Sequence, residues 1–200
     1  MIKNTNKIIM QKIFRIIYYF FYSRYLIKKY AYKRKKYEDR DTLERIILPY
    51  ILSRKNPKTI LDVGREDYQE FYNLFFINKE FWTIDIDPQK KEFGSQNHIT
   101  DNVINLKKYF KDNYFDFILI NGVLGWGLNK KNEIQDTFNI LYDILKPNGI
   151  IIVGWNDTPI PLKNIEGLNK LKKYYFKPLK GNQFECINGE HKYNFYIKNK

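Results

Sequence analysis

The chain has 200 residues, of which 44% are hydrophobic and 18% aromatic, and its net charge is +13. This length and composition suffice for one domain with a buried core. The single cysteine, Cys186, excludes an internal disulfide, and the two histidines, His98 and His191, do not provide a zinc-binding spacing. We therefore expect a protein without a metal site.

The first 37 residues carry a disproportionate share of the charge, with 11 Lys or Arg and no Asp or Glu. Their longest uncharged run, residues 16–23, is far shorter than the roughly 20 residues of a membrane-spanning helix. No small-residue cleavage site follows an apolar stretch, so the pattern does not predict a secretory signal. We predict a basic, aromatic N-terminal arm over residues 1–37 and one domain over residues 38–200.

Three interpretations of this arm are consistent with its sequence. Tyr and Phe at helical spacing are typical of a helix packed on the domain. The aromatic and basic residues also fit a helix that lies on an anionic membrane, and the basic cluster at residues 33–36 favours that contact. Nucleic acid is the least favoured partner. We expect a cytoplasmic protein that can lie peripherally on the inner face of the membrane.

After the arm, short apolar runs alternate with helical stretches. A helix that begins at Thr42 and ends before Pro57 precedes the first run, TILDVG. Four further runs, WTID, ITD, FDFILIN and GIIIVG, each finish in Asp, Asn or Gly. This rhythm predicts a Rossmann-like, doubly wound α/β fold with a mostly parallel sheet.

The last part of the chain predicts how the sheet closes. A loop follows Asp157, and residues 167–176 have the pattern of a helix. The final segment, FECINGEHKYNFYIK, predicts an antiparallel hairpin with its turn at Asn188 and Gly189. We expect this hairpin to form the last strands of the sheet.

Polar residues and glycines stand where the predicted strands end. Ligands bind at the carboxyl ends of the strands of such sheets. The residues at these ends are Asp62, Gly64, Asp85, Asp101, Asn121, Gly122 and residues 154–157. We expect them to line one crevice for a nucleoside-type ligand.

The same segments resemble the class I S-adenosylmethionine-dependent methyltransferases of the type 11-like group. LDVG resembles the end of the family's first strand and the start of its glycine-rich loop, while FDFILING and LKPNGIIIVG resemble its fourth and fifth strands. The resemblance implies that Asp85 holds the ribose hydroxyls, that Asp101 lies near the adenine amine, and that S-adenosylmethionine is the cofactor.

The loop after the first strand departs from the family's Gly-x-Gly-x-Gly pattern, because it reads GREDY and keeps only Gly64. A Cβ atom at Glu66 or Tyr68 opposes a positive φ and a close approach to the ligand. A nicotinamide dinucleotide, the competing cofactor, places a pyrophosphate at such a loop, where Glu66 and Asp67 repel it. The sulfonium and ammonium of S-adenosylmethionine are attracted to carboxylates instead.

These arguments predict a set of site residues. The predicted cofactor-binding residues are Asp62, Gly64, Glu66, Asp85, Asp101, Asn121 and Gly122. Transfer to a hydroxyl also needs a general base within hydrogen-bond reach of the acceptor, and the candidates are Asp157 and His191. Trp126 and Trp155 follow strand ends, where an indole either stacks on the acceptor or packs in the core.

No motif identifies the acceptor, and our preference is a small molecule or a saccharide. We therefore predict an S-adenosylmethionine-dependent methyltransferase. The alternative is a non-catalytic binding or scaffold protein, which keeps the fold without the chemistry and contacts a membrane or polyanion through its arm.

Overall fold

The structure, a computed structural model, describes residues 2–30, 38–156, 158–186 and 191–200. Two predictions fall outside these ranges, namely the general base Asp157 and the hairpin turn at Asn188 and Gly189. The basic cluster at residues 33–36, near the end of the predicted arm, also falls outside them.

An eight-stranded sheet forms the centre of the described part of the chain. Its strands are β1 (Thr59–Val63), β2 (Glu80–Asp85), β3 (Asn97–Thr100), β4 (Phe115–Asn121), β5 (Leu145–Trp155), β6 (Lys172–Lys173), β7 (Gln183–Glu185) and β8 (Lys192–Ile197). Their order is β3-β2-β1-β4-β5-β8-β6, and β7 also pairs with β8. The strands β1 to β5 are parallel, whereas β8 is antiparallel to each of its neighbours. The predicted Rossmann-like fold with an antiparallel C-terminal closure is confirmed.

Helices cover both faces of the sheet. They are α1 (Ile2–Tyr30), α2 (Glu38–Thr42), α3 (Leu48–Arg54), α4 (Tyr72–Phe75), α5 (Lys131–Ile144) and α6 (Glu166–Asn169). Successive side chains of a strand point to opposite faces. In β1, Ile60 packs into the core beneath α1 and α3, while Leu61 packs into the core beneath α5. Both faces are therefore buried, which explains why the strands are almost continuously apolar.

The helix predicted over residues 167–176 is wrong beyond Asn169. After α6 the chain becomes extended, and Lys172 and Lys173 pair with the edge of β8. Tyr174 continues this contact, because its N–H donates to the carbonyl of Phe195 at 2.8 Å. The edge of β8 offers backbone groups that require partners, and this tertiary requirement outweighs the local helical pattern.

Helix α1 packs on the domain through its C-terminal half. Tyr19, Leu26 and Ile27 are buried in the same core as α3, and the Ser23 hydroxyl donates to the carbonyl of Glu44 at 2.7 Å. The arm and the domain therefore share a core, while the boundary at residue 37 stays a prediction. None of the helices in the described ranges is long and apolar enough to cross a bilayer.

Candidate active site

A cavity of about 1050 Å³ lies at the carboxyl ends of β1, β2 and β4. The predicted site residues on its wall are Gly64, Glu66, Asp85, Asp101, Asn121, Gly122 and His191. Its volume is at the upper end of the range for ligand pockets, which suits a nucleoside cofactor together with a second molecule. Asp62 is not on the wall, because it is buried behind the loop that follows β1.

Gly64 is required by its conformation and by its surroundings. Its φ is +84°, and a Cβ atom there would lie 2.8 Å from Cγ2 of Val123. Glu66 is extended, with φ −133° and ψ 158°. None of the next four residues has a positive φ in the described backbone. The loop therefore needs a glycine only at its first position, because the residues that follow do not adopt a positive φ.

The buried side chain of Arg65 holds this loop in place. Its Nη1 atom lies 2.8 Å from Oδ2 of Asp62, and both side chains are almost fully buried. Its other donors reach the carbonyl oxygens of Gln69 at 3.0 Å and Phe93 at 3.1 Å. Burial raises the pKa of Asp62 to about 6, although the guanidinium opposes this shift. The contact between these two side chains ties β1 to its loop.

Asp85 is held by two backbone amides at the end of β2. Its Oδ2 accepts from the N–H of Arg65 at 2.7 Å, and its Oδ1 accepts from the N–H of Asp87 at 2.9 Å. Because a carboxylate oxygen has two lone pairs, each oxygen can accept one further hydrogen bond. A vicinal diol offers two donors at this spacing, so the carboxylate is suited to ribose. Its contact with a ribose stays a prediction.

Asp101 and Glu66 are fixed by neighbouring side chains. The Asp101 carboxylate accepts from Asn105 Nδ2 at 2.7 Å and from the Tyr109 hydroxyl at 2.9 Å, and these bonds lower its pKa. Glu66 forms a capping box with Gln69, and its Oε2 lies 2.6 Å from Nζ of Lys90. Lys90 thus partly neutralises the acidic loop predicted to attract the cofactor's ammonium group.

Arg40 of α2 reaches the cavity from the side of the β1 loop. Its Nη2 donates to the hydroxyl of Tyr68, and its guanidinium lies 4.0 Å above the centre of that ring. Its Nη1 is buried and has no hydrogen-bond partner in the described part of the chain. Arg40 was not predicted, because a basic residue in a stretch of mixed charge carries no positional signal.

His191 lies just before β8, between the amides of two asparagines and near the opposite charges of Asp39 and Arg40. Its Nδ1 is 2.6 Å from Oδ1 of Asn156, and its Nε2 is 3.0 Å from Oδ1 of Asn121. Burial lowers the pKa of His191 to about 4, so the ring is neutral at pH 7. A neutral imidazole has one N–H, so one of the two amides must turn its NH₂ toward the ring. Burial also raises the pKa of the nearby Cys186 to about 12, which keeps this thiol protonated.

The two tryptophans have different surroundings. Trp155 packs against the core, and its Nε1 donates to Oδ1 of Asn194 at 2.8 Å, so it is a structural residue. Trp126 is 76% exposed and lies on the cavity wall, in the loop after β4. Only Trp126 is placed to touch an acceptor.

Residues 61–153 match the family described as "Methyltransferase domain". The central part of this chain is therefore similar to methyltransferase domains. The predicted resemblance is therefore confirmed, and S-adenosylmethionine is the cofactor of this family.

Solved methyltransferase structures share the fold of this domain. The N-methyltransferase NodS from Bradyrhizobium japonicum WM9, in complex with S-adenosyl-L-homocysteine, superposes with a TM-score of 0.59 over 91% of this chain and 99% of that chain, at 12% identity. The 1,6-didemethyltoxoflavin-N1-methyltransferase from Burkholderia thailandensis superposes with a TM-score of 0.54 over 78% of each chain, at 10% identity. At these identities the likeness shows the fold alone.

A curated protein, the polyamine aminopropyltransferase of Prochlorococcus marinus, is 26% identical over 147 residues. The match covers 65% of this chain and 51% of that protein, so the chain spans about half the length of this relative. Within the described ranges, no group of three or more His, Cys, Asp or Glu side chains is placed to hold a metal ion.

Proposed function

We propose that this protein transfers the methyl group of S-adenosylmethionine to a small molecule or a saccharide. The observation that carries the proposal is the position of Asp85. Its carboxylate is fixed by the amides of Arg65 and Asp87, faces the cavity, and has one free acceptor site on each oxygen.

The cavity also offers a partner for the amino-acid part of the cofactor. The buried Nη1 of Arg40 has no acceptor in the described ranges, and a buried donor without a partner costs about 1–3 kcal/mol. If the Arg40 side chain turns toward the cavity, a carboxylate such as that of the methionine moiety satisfies this donor. Arg40, Asp85 and Asp101 would thus hold the carboxylate, the ribose and the adenine.

The β1 loop disfavours the competing dinucleotide. A pyrophosphate needs free backbone amides at the start of a helix. Here the N–H of Arg65 is occupied by Asp85, and the first turn after the loop spans only Asp67–Gln69. Glu66 and Asp67 add negative charge at this point. The loop therefore supports a cofactor without phosphate.

The bound cofactor supplies an electrophilic methyl group on a sulfonium. The protein has to place the acceptor behind that carbon and exclude water. We infer that the acceptor lies against His191, Asn121 and Trp126, because these residues line the cavity from β4, its following loop and the residue before β8, whereas Asp85 lies at the end of β2. The neutral ring of His191 can accept a proton from the acceptor if it exchanges one of its amide partners. The second candidate base, Asp157, lies outside the described residues.

The location of the protein stays a prediction. We infer a cytoplasmic protein that can contact the inner face of a membrane peripherally through residues 1–37. Nucleic acid remains the less favoured partner, because the cavity wall carries more acidic than basic side chains.

The release of S-adenosylhomocysteine tests the proposed activity. The full chain is incubated with S-adenosylmethionine and with panels of small molecules and saccharides, and acceptor-dependent release is expected. Asp85→Ala should reduce kcat/KM at least about tenfold, whereas Asp136→Ala, an exposed site on α5, should leave it unchanged. Cofactor binding without release for any acceptor would favour the binding or scaffold alternative.

A further inference from the structure

Helix α1 has a second apolar face, which points away from the domain. Its large side chains are between 49% and 64% exposed: Met10, Ile13, Phe14, Ile17 and Phe21. Their spacing of three and four residues places them on one side of the helix. The buried Tyr19 and Leu26 occupy the opposite side. We call these five residues the outward face.

Such a face is unusual on a soluble domain. Large contiguous apolar patches on a protein surface mark interaction sites. Ile9, Phe20 and Tyr25, which flank this stripe, are also exposed, as is Ile8 on the opposite side of the helix. The apolar surface therefore extends along most of the helix, whereas the domain uses only the C-terminal half of α1 for its own core.

The charges of α1 indicate what covers the outward face. The helix contains seven Lys or Arg and no Asp or Glu. Two of the basic residues, Arg24 and Lys28, follow Phe21 on the same side at helical spacing. Long basic side chains can keep their charge at a headgroup while their stems lie on apolar surface. An anionic lipid surface offers both the apolar phase and the opposite charge.

A second copy of the chain fits the outward face less well. Pairing two α1 helices would bring fourteen basic residues together, and no acidic residue of either helix would offset them. Like charges at such an interface repel each other. The charges of α1 therefore favour binding to an anionic lipid surface over self-association.

We propose that the outward face of α1 docks on an anionic lipid surface. The helix lies in the plane of the interface, with Phe14 and Phe21 in the acyl boundary and Arg24 and Lys28 at the lipid phosphates. This surface lies outside the cavity, so the proposal does not depend on methyl transfer.

Vesicle co-sedimentation of the full chain tests the proposal. One set of vesicles contains equal amounts of phosphatidylcholine and phosphatidylglycerol, and the other contains phosphatidylcholine alone. Each basic residue near an anionic leaflet raises partitioning by about fivefold. We therefore expect at least about tenfold stronger binding to the anionic vesicles, and this preference should decrease when salt is added.

The double variant Phe14→Ser/Phe21→Ser separates docking from nonspecific attraction of a basic protein. Its charge is unchanged, but it loses two apolar side chains, so binding should weaken at least about tenfold. Its melting temperature should stay that of the parent, since neither side chain is in the core. The matched control Ile77→Ser removes an apolar side chain that is 63% exposed outside α1, and it should bind like the parent.

Three results would overturn the proposal. The first is a parent that does not bind anionic vesicles or binds both kinds of vesicle equally well. The second is a double variant that binds as tightly as the parent. The third is a concentration-dependent dimer of the parent that the double variant loses while neither protein binds vesicles, because this would assign the outward face to a second copy.

Discussion

The two sides of the cavity are built from different kinds of groups. On the side of β1 and β2, Asp85 on the wall is held by backbone amides, and Arg65 and Asp62 form a buried ion pair behind the wall. On the side of β4 and β8, the hydrogen bonds of His191 join its ring to two neutral asparagine amides. The first side is fixed when the chain folds. The second can exchange hydrogen bonds with a ligand at lower cost, because hydrogen bonds between neutral groups are weaker than those of charged groups.

The largest expected effect concerns the charged side. Arg65→Met removes the partner of Asp62 and leaves a carboxylate with negligible exposure. Loss of one partner of a buried ion pair costs about 3–5 kcal/mol. Denaturant unfolding should therefore show a decrease of this size in the free energy of unfolding.

Lys90→Met is the matched control for this variant. It breaks the partly exposed pair with Glu66, which should cost no more than about 1 kcal/mol. Equal losses in the two variants would show that the Arg65–Asp62 pair does not fix the loop.

The second effect concerns the neutral side and depends on pH. The pKa of His191 is lowered to about 4 in the folded protein from an ordinary value of 6.5, because the ring is buried. The unfolded chain therefore binds more protons between these values, and the stability that His191 contributes is lost as the pH falls from 6.5 to 4. The full difference is about 3 kcal/mol.

His191→Gln should remove this part of the pH dependence of unfolding. Asp62 gives the opposite slope, because its pKa is raised to about 6, so the folded protein binds the extra proton as the pH falls below that value. Asp62 is present in both proteins. The difference between their free energies of unfolding at each pH therefore reports the contribution of His191. Parallel stability curves between pH 4 and 6.5 would contradict a neutral, buried ring.

The smallest expected effect is a difference in cofactor affinity between a variant on the Asp85 side of the cavity and a variant on the His191 side. A charged hydrogen bond contributes about 1.5–3 kcal/mol, so Asp85→Ala should weaken the binding of S-adenosylhomocysteine about ten- to a hundredfold. His191→Gln should leave this affinity within about twofold, because the ring lies on the proposed acceptor side. If His191→Gln lost more affinity for S-adenosylhomocysteine than Asp85→Ala, the cofactor would bind on the side of His191, which would contradict the proposal.

Sequence patterns predicted the sheet well because its strands are apolar on both faces and each ends in a turn residue or a polar residue. They predicted Gly64 and Asp85 on the cavity wall for the same reason. The burial of the Arg65 side chain was not predicted, because an arginine is almost never fully buried unless it is paired. Arg40 and the extended segment at Lys172 depend on contacts between distant parts of the chain, which a local pattern does not contain.

Calorimetric titration of the full chain tests the central claim most directly. The two ligands are S-adenosylhomocysteine, which carries the ribose, adenine and amino acid but no phosphate, and NAD⁺, which carries a pyrophosphate. We expect saturable binding of S-adenosylhomocysteine with a stoichiometry of one, and no binding of NAD⁺ under the same conditions. Tighter binding of NAD⁺, or binding of neither ligand, would contradict a methyltransferase site in this cavity.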